Sequence, residues 1–148
     1  MVLATNLGFP RIGAKRELKK ATESFWKGEI SEAELLQTGA AIRRTHWQMQ
    51  KEAGISLVPV NDFSFYDQML DMSALLGNIP SRYNWQGGNV DTATYFAMAR
   101  GNAEVTAMEM TKWFDTNYHY IVPELTGTTS FRLSTTKIFD EVTEALAL

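Results

Sequence analysis

The basic residues at positions 15–20 are the side chains in this sequence with the clearest capacity for chemistry. Lys15, Arg16, Lys19 and Lys20 follow Gly13 closely. Because Arg16 precedes Lys19 by three positions and Lys20 by four, a helix presents these cations on one surface. Cations in a first turn oppose the helix macrodipole at a cost of about 0.3–1 kcal/mol each, which a bound anion offsets. The cluster indicates an anion-binding surface; the alternative is a solvated charged face.

The residues before this cluster predict the elements that position it. Gly8, Pro10 and Gly13 favour a tight turn after a short strand, because glycine adopts conformations closed to other residues and proline fixes its own φ. An apolar stripe with helical spacing follows, made of Ala14, Leu18, Ala21 and Phe25. We expect a helix over residues 14–26, whose first backbone N–H groups are themselves anion donors.

A second helix is predicted immediately afterwards. Ser31 and Glu34 form a Ser-x-x-Glu capping box, which predicts a helix from there to about Ala53, ended by Gly54. Two antiparallel helices joined by a short turn form a hairpin. We interpret His46 as a polar edge residue of the packed face of this second helix rather than as a ligand.

Three predictions concern the segments beyond the hairpin. Residues 55–60 are typical of a short buried strand, and a helix is expected from Ser64, with Asp62 as its N-cap. Residues 111–122 are rich in aromatic and β-branched side chains, so we expect a strand at their core. Lys112 lies at the entrance of this strand among apolar neighbours, where a snorkelling surface lysine is the alternative to a functional one.

Three segments carry a resemblance to a known family. They are residues 7–21, containing Gly-Phe-Pro-Arg-Ile-Gly-Ala-Lys-Arg-Glu-Leu-Lys-Lys, residues 61–67, Asn-Asp-Phe-Ser-Phe-Tyr-Asp, and residues 109–124, containing Met-Thr-Lys-Trp-Phe-Asp-Thr-Asn-Tyr-His-Tyr. Together they resemble the opening part of the cobalamin-independent methionine synthases, which are much longer. That family moves a methyl group from 5-methyltetrahydropteroyl-polyglutamate to homocysteine.

The resemblance implies a set of substrate-binding residues. In the family the Arg-Glu-Leu-Lys run and the lysine of Met-Thr-Lys-Trp-Phe bind the polyglutamate tail, and the matching positions are Arg16, Glu17, Leu18, Lys19 and Lys112. Arg16 is expected to bind a carboxylate through two nitrogens, and Lys19 to act as a point charge. We expect orienting or backbone roles for Glu17, which is acidic, and Leu18, which lies on the apolar stripe. Arg16 and Lys112 should meet around one chain of carboxylates.

The resemblance also implies a fold and a cofactor. The expected fold is α/β and helix-rich, the amino-terminal fragment of a (β/α)8 TIM-type barrel with the helical hairpin added. Residues 1–148 would form a single unit, the opening part of the amino-terminal barrel domain of a two-barrel protein. In the family zinc holds the homocysteine thiol, and its ligands belong to the second, carboxy-terminal barrel, which is missing here. We therefore expect no catalytic residue and no bound zinc in this chain, and a fragment that is inactive alone.

Composition excludes several classes of protein. A net charge of −3 argues against a general nucleic-acid binder, and the absence of cysteine suits a reducing cytosol. Without a signal peptide or an apolar run long enough to span a bilayer, we expect a cytoplasmic protein with no membrane partner.

Two further expectations concern how the chain ends and what it contacts. The last helix lacks a stop signal before Leu148, which predicts that the chain continues and was cut from a longer one. The exposed edges of a sheet with few strands favour self-association. The alternative function is a non-enzymatic helical interaction module that binds an acidic partner through its basic helix.

Overall fold

The computed structural model describes residues 2–148, which form two compact units. One holds the residues up to Phe65 together with Ile138–Leu148, and the other is Tyr66–Lys137. In chain order the elements are α1 (Glu17–Trp26), α2 (Glu32–Glu52), α3 (Gln68–Leu75), a 3₁₀ turn (Ser81–Tyr83), α4 (Thr92–Arg100), β1 (Met110–Lys112), β2 (His119–Ile121) and α5 (Lys137–Leu146). This helix-rich content agrees with the expected fold class. Over the same residues, no helix is both long and apolar enough to cross a bilayer.

The predicted helical hairpin is confirmed in the first unit. Ser31 caps α2 as the sequence predicts: its hydroxyl accepts the Glu34 N–H at 3.3 Å, and the Glu34 carboxylate accepts the Ser31 N–H at 2.8 Å. Leu18 and Ile42 pack against Phe63 to form the core of this unit. The hairpin therefore supports the start of α1, where the basic residues lie.

The sequence predicts a short strand before the helical hairpin and another after it, but in the structure the two segments form only a single parallel bridge. It joins Thr5 to Leu57, and the backbone N–H groups of Ser56 and Leu57 both donate to the Ala4 carbonyl. Pro59 has no N–H to extend a ladder, and its carbonyl accepts a hydrogen bond from an indole of α2 instead.

The second unit packs α3, α4 and the β1–β2 hairpin around one core. Its fully buried side chains include Leu70, Met98 and Ile121. Asp91 caps α4 by accepting the Thr94 N–H at 2.7 Å, and α4 ends at Gly101.

The single strand expected within residues 111–122 is wrong in one respect. The segment forms an antiparallel hairpin in which Lys112 pairs with His119. The chain reverses between them because Phe114 adopts the left-handed conformation, φ 49°, and the Thr116 hydroxyl donates to the Trp113 carbonyl at 2.6 Å. Aromatic and β-branched content indicated extended structure correctly but did not reveal the reversal.

The predicted N-cap of the next helix is also wrong. Asp67 caps α3, accepting the Leu70 N–H at 2.8 Å, so the helix begins at Gln68 rather than near Ser64. The Asp62 carboxylate accepts the Phe9 N–H at 2.7 Å. Asp62 therefore fixes the segment at Phe9 that leads towards α1, a role that depends on a contact distant in sequence.

Candidate anion-binding site

Arg16 occupies the N-cap position of α1 in a conformation that is unusual for its residue type. Its φ and ψ are 61° and 36°, the left-handed region, and its side chain makes no capping hydrogen bond. The Arg16 N–H donates to the Gly13 carbonyl at 3.1 Å, which closes a tight turn. A non-glycine residue held in this region costs about 1–3 kcal/mol, and such strain concentrates at functional sites. The guanidinium is left exposed and has no ion pair within residues 2–148.

Glu17 organises this turn rather than contributing a cation to it. Its carboxylate accepts the Lys15 N–H at 2.8 Å and lies where a Cβ at Gly13 would collide with it. Hydrogen bonds from its own N–H and from that of Lys15 hold the pKa of Glu17 below its ordinary value, with a further contribution from the charge of Lys20. This geometry fits an orienting role.

Leu18 and Lys19 have opposite environments. Leu18 is 1% exposed and packs in the core with Ile42, so its side chain anchors α1 and reaches no solvent ligand. Lys19 is exposed, and its Nζ lies 3.5 Å from a Glu23 carboxylate oxygen one turn along the helix. An anion bound by Lys19 would therefore compete with Glu23 in an exposed pair worth only about 0–1 kcal/mol.

Lys112 ends β1 in the second unit. All three residues of β1 are exposed, and Lys112 makes no ion pair with any described residue. Its cross-strand partner is His119, and the next residue, Trp113, donates its N–H to the Tyr118 carbonyl at 2.8 Å. The ammonium group is available to an anion, and its backbone is held by pairing with β2.

The structure brings four of the five expected binding residues together at the start of α1, namely Arg16, Glu17, Leu18 and Lys19. Lys112 belongs to the second unit. Sequence reasoning missed the backbone of Lys15 as a partner of Glu17 and the contribution of Asp67 to the hairpin. The only sequence signal for Asp67 was an acidic residue just before a helical apolar pattern, which also fitted Asp62.

A groove of about 970 Å³ lies beside the turn, between α1 and α2. His46 lies in its lining, buried and stacked on the Phe9 ring with centroids 4.2 Å apart. Burial lowers the pKa of His46, against opposing effects of Asp62 and Glu17. A buried, stacked histidine agrees with its interpretation as part of a packed face.

The zinc implied by the resemblance has no place among the described residues. In residues 2–148 no group of three or more His, Cys, Asp or Glu side chains could hold a metal ion. The described part of the chain does not fit this cofactor, and we assign none of its residues to zinc.

Comparison with known proteins identifies the family. A family model described as "Cobalamin-independent synthase, N-terminal domain" matches residues 3–148. The 5-methyltetrahydropteroyltriglutamate–homocysteine methyltransferase of Acidithiobacillus ferrooxidans is 60% identical over 100% of this chain and 19% of the relative. The enzyme of the same name from Salinibacter ruber is 55% identical over 99% of this chain and 20% of the relative.

A plant relative extends the comparison. The 5-methyltetrahydropteroyltriglutamate–homocysteine methyltransferase 1 of Oryza sativa subsp. japonica is 54% identical over 96% of this chain and 18% of its own length. The chain thus spans about a fifth of the length of the curated relatives it matches. Because the family model matches nearly every residue, the chain belongs to the cobalamin-independent synthase family, and the match is to the model of its N-terminal domain.

Proposed function

We propose that this chain binds the polyglutamate tail of 5-methyltetrahydropteroyl-polyglutamate, as the amino-terminal part of an enzyme that transfers its methyl group to homocysteine to form methionine. The observation that carries the proposal is Arg16, an exposed cation that has no ion pair with any residue the structure describes and is held in a strained conformation at the N-terminus of α1. The names of the relatives, which specify a triglutamyl folate and homocysteine, support the same substrates.

The chemistry of the tail suits these residues. A polyglutamate tail is a flexible chain of carboxylates, so several fixed cations along its path contribute more than one exposed pair. Arg16 binds one carboxylate through two nitrogens, and the positive end of the α1 macrodipole favours the same charge. Lys19 and Lys112 add point charges, Glu17 shapes the turn, and Leu18 fixes α1 to the core.

The fold of the parent protein is the second part of the proposal. We infer that residues 1–148 form the opening of an amino-terminal (β/α)8 barrel domain, with the α1–α2 hairpin as an added layer. The parallel bridge between Thr5 and Leu57 supports this, because a helical connection between parallel segments is the unit from which such barrels are built.

Methyl transfer itself is assigned to the rest of the parent protein. A carboxy-terminal barrel would bring the zinc that holds the homocysteine thiol, and we propose no catalytic residue within this chain. The absence of cysteine suits a reducing compartment, which supports a cytoplasmic location. Self-association is proposed for the chain alone, because its two-stranded sheet leaves pairing edges.

Calorimetry with monoglutamyl and triglutamyl 5-methyltetrahydrofolate tests the proposal. Arg16→Ala and Lys112→Ala should each lower the affinity for the triglutamyl ligand about threefold to fivefold, corresponding to about 0.6–1 kcal/mol, and leave the monoglutamyl affinity nearly unchanged. Lys27→Ala is the matched control, because it removes one exposed positive charge at the opposite end of α1.

Two results would contradict the proposal. One is an affinity that does not depend on tail length. The other is equal, salt-sensitive binding to an oligo-aspartate peptide that carries no pterin, which instead favours an interaction module for acidic partners.

A further inference from the structure

We infer that Asp67 is a positioning residue for Lys112, acting through the β1–β2 hairpin on the tail-binding lysine. The inference rests on the proposed function, in which Lys112 binds the polyglutamate tail. Asp67 lies outside the five residues that the family motif supplies. Its hydrogen bonds go to Leu70, Tyr118 and Ile121, so its effect reaches Lys112 through β2.

Asp67 is a buried carboxylate that accepts three hydrogen bonds. It is 1% exposed. One of its oxygens accepts the N–H of Leu70 at 2.8 Å and the N–H of Ile121 at 3.1 Å, and the other accepts the Tyr118 hydroxyl at 2.6 Å. Burial of an ionised carboxylate is costly unless hydrogen bonds satisfy it, so these donors must keep their positions. Asp67 thereby links the first turn of α3 to the hairpin.

The two hairpin residues bound by Asp67 flank the partner of Lys112. Tyr118 precedes β2 and Ile121 ends it, while His119, which pairs with Lys112, lies between them. Tyr118 also accepts the Trp113 N–H at 2.8 Å through its carbonyl. The carboxylate thus fixes both ends of β2, the strand with which Lys112 of β1 pairs.

The first strand buries no side chain of its own, and its nearest core contact is Met108, two positions before it, whose N–H donates to the Met98 carbonyl at 2.9 Å. All three β1 residues are exposed, whereas Ile121 of β2 is 1% exposed and packs with Leu70 in the core. Because β1 has no buried side chain of its own, its place is set by pairing with β2. Loosening β2 therefore moves Lys112 without any change in the lysine itself.

The test compares Asp67→Ala with Asp91→Ala in the same unit. Both aspartates are N-caps with extended backbone, but Asp91 is exposed and accepts the Thr94 N–H within α4 instead of a donor from the hairpin. The readout is the ratio of triglutamyl to monoglutamyl affinity from calorimetry. Asp67→Ala should lower this ratio by the same factor as Lys112→Ala, about threefold to fivefold, and Asp91→Ala should leave it unchanged.

Two more variants show whether Asp67 acts through Lys112. Adding Lys112→Ala to Asp67→Ala should lower the ratio no further, because the lysine is already displaced. Asp67→Asn keeps one oxygen for the two backbone donors and offers an amide N–H to the Tyr118 oxygen. Its ratio should therefore lie within about twofold of that of the unsubstituted protein.

Amide hydrogen exchange tests the anchoring without a ligand. Asp67→Ala should accelerate exchange at the Trp113 N–H, whereas Asp91→Ala should not. If Asp67→Ala fails to fold, Tyr118→Phe removes only one of the three donors and should give a smaller change in the same direction.

The outcomes separate the two proposals. A ratio lowered by Lys112→Ala but not by Asp67→Ala, or unchanged Trp113 exchange in both Asp67→Ala and Tyr118→Phe, overturns the inference alone. If Lys112→Ala leaves the ratio unchanged, this lysine does not bind the tail, and the inference about Asp67 is then wrong as well.

Discussion

The two units present their candidate cations by different means. In the first, Arg16 is held by contacts from its own turn, since Gly13 supplies the carbonyl and Glu17 fixes the Lys15 N–H. In the second, Lys112 lies in β1, which pairs with β2, and β2 is anchored to Asp67 through Tyr118, 51 positions later in the chain. A local turn positions one cation and a buried carboxylate distant in sequence positions the other.

The difference explains how each part responds to change. A turn built from neighbouring residues depends on the backbone conformations of a few positions, so substitutions inside it should alter it most. A hairpin held through a remote anchor should respond to the anchor instead. Substitutions at positions 13, 16 and 17 therefore test whether the Arg16 turn is locally determined.

Gly13→Ala should have the largest effect on the Arg16 turn. The residue has φ +81°, which strains alanine, and the new Cβ would collide with the Glu17 carboxylate. We expect the free energy of unfolding, measured by urea denaturation, to fall by about 1–3 kcal/mol. Gly28→Ala is the control: its φ is +73°, but a Cβ there meets nothing within 4 Å. An equal loss in both variants would show that the contact with Glu17 contributes nothing.

Arg16→Gly should be more stable than Arg16→Ala. Both substitutions remove the guanidinium, but glycine adopts the left-handed conformation of position 16 without the strain that alanine keeps. The expected difference in the free energy of unfolding is about 1 kcal/mol. Equal stabilities would contradict the local strain at this position. Both variants should lose triglutamyl affinity equally.

Protonation of Glu17 should have the smallest effect. Its pKa lies below the ordinary 4.5, so the ionised carboxylate stabilises the folded chain above that pH, and this stabilisation is lost as pH falls through the folded pKa. The Lys15 amide resonance should titrate with an inflection below 4.5. Glu17→Gln should abolish this inflection. An inflection at or above 4.5 would contradict the hydrogen bonds assigned to this carboxylate.

The same contrast explains what the sequence could predict. The α1–α2 hairpin followed from an apolar stripe and the Ser31–Glu34 capping box, all local signals, and Leu18 was correctly placed on the buried stripe. The sequence does not show which of Asp62 and Asp67 caps α3, because the hydrogen bond that occupies Asp62 comes from Phe9, 53 positions away. Local patterns do not record such pairings.

The reversal at Phe114 was hidden for a different reason. Its φ of 49° is unusual for an aromatic residue, and the surrounding aromatic and β-branched composition favours extended structure on both sides. The substrate-binding residues came from the family motif, and the physical roles of Glu17 and Asp67 became visible only in the structure.

We propose that Arg16 and Lys112, which are presented by separately built elements, each bind carboxylates of a polyglutamate tail. The most direct measurement is calorimetry with folate ligands that carry one, two or three glutamates. It compares the unsubstituted protein, Arg16→Ala, Lys112→Ala and the double variant. We predict that the affinity of the unsubstituted protein rises with tail length, that it rises less in each single variant, and that it is nearly independent of tail length in the double variant. The same rise in all four proteins would contradict the account.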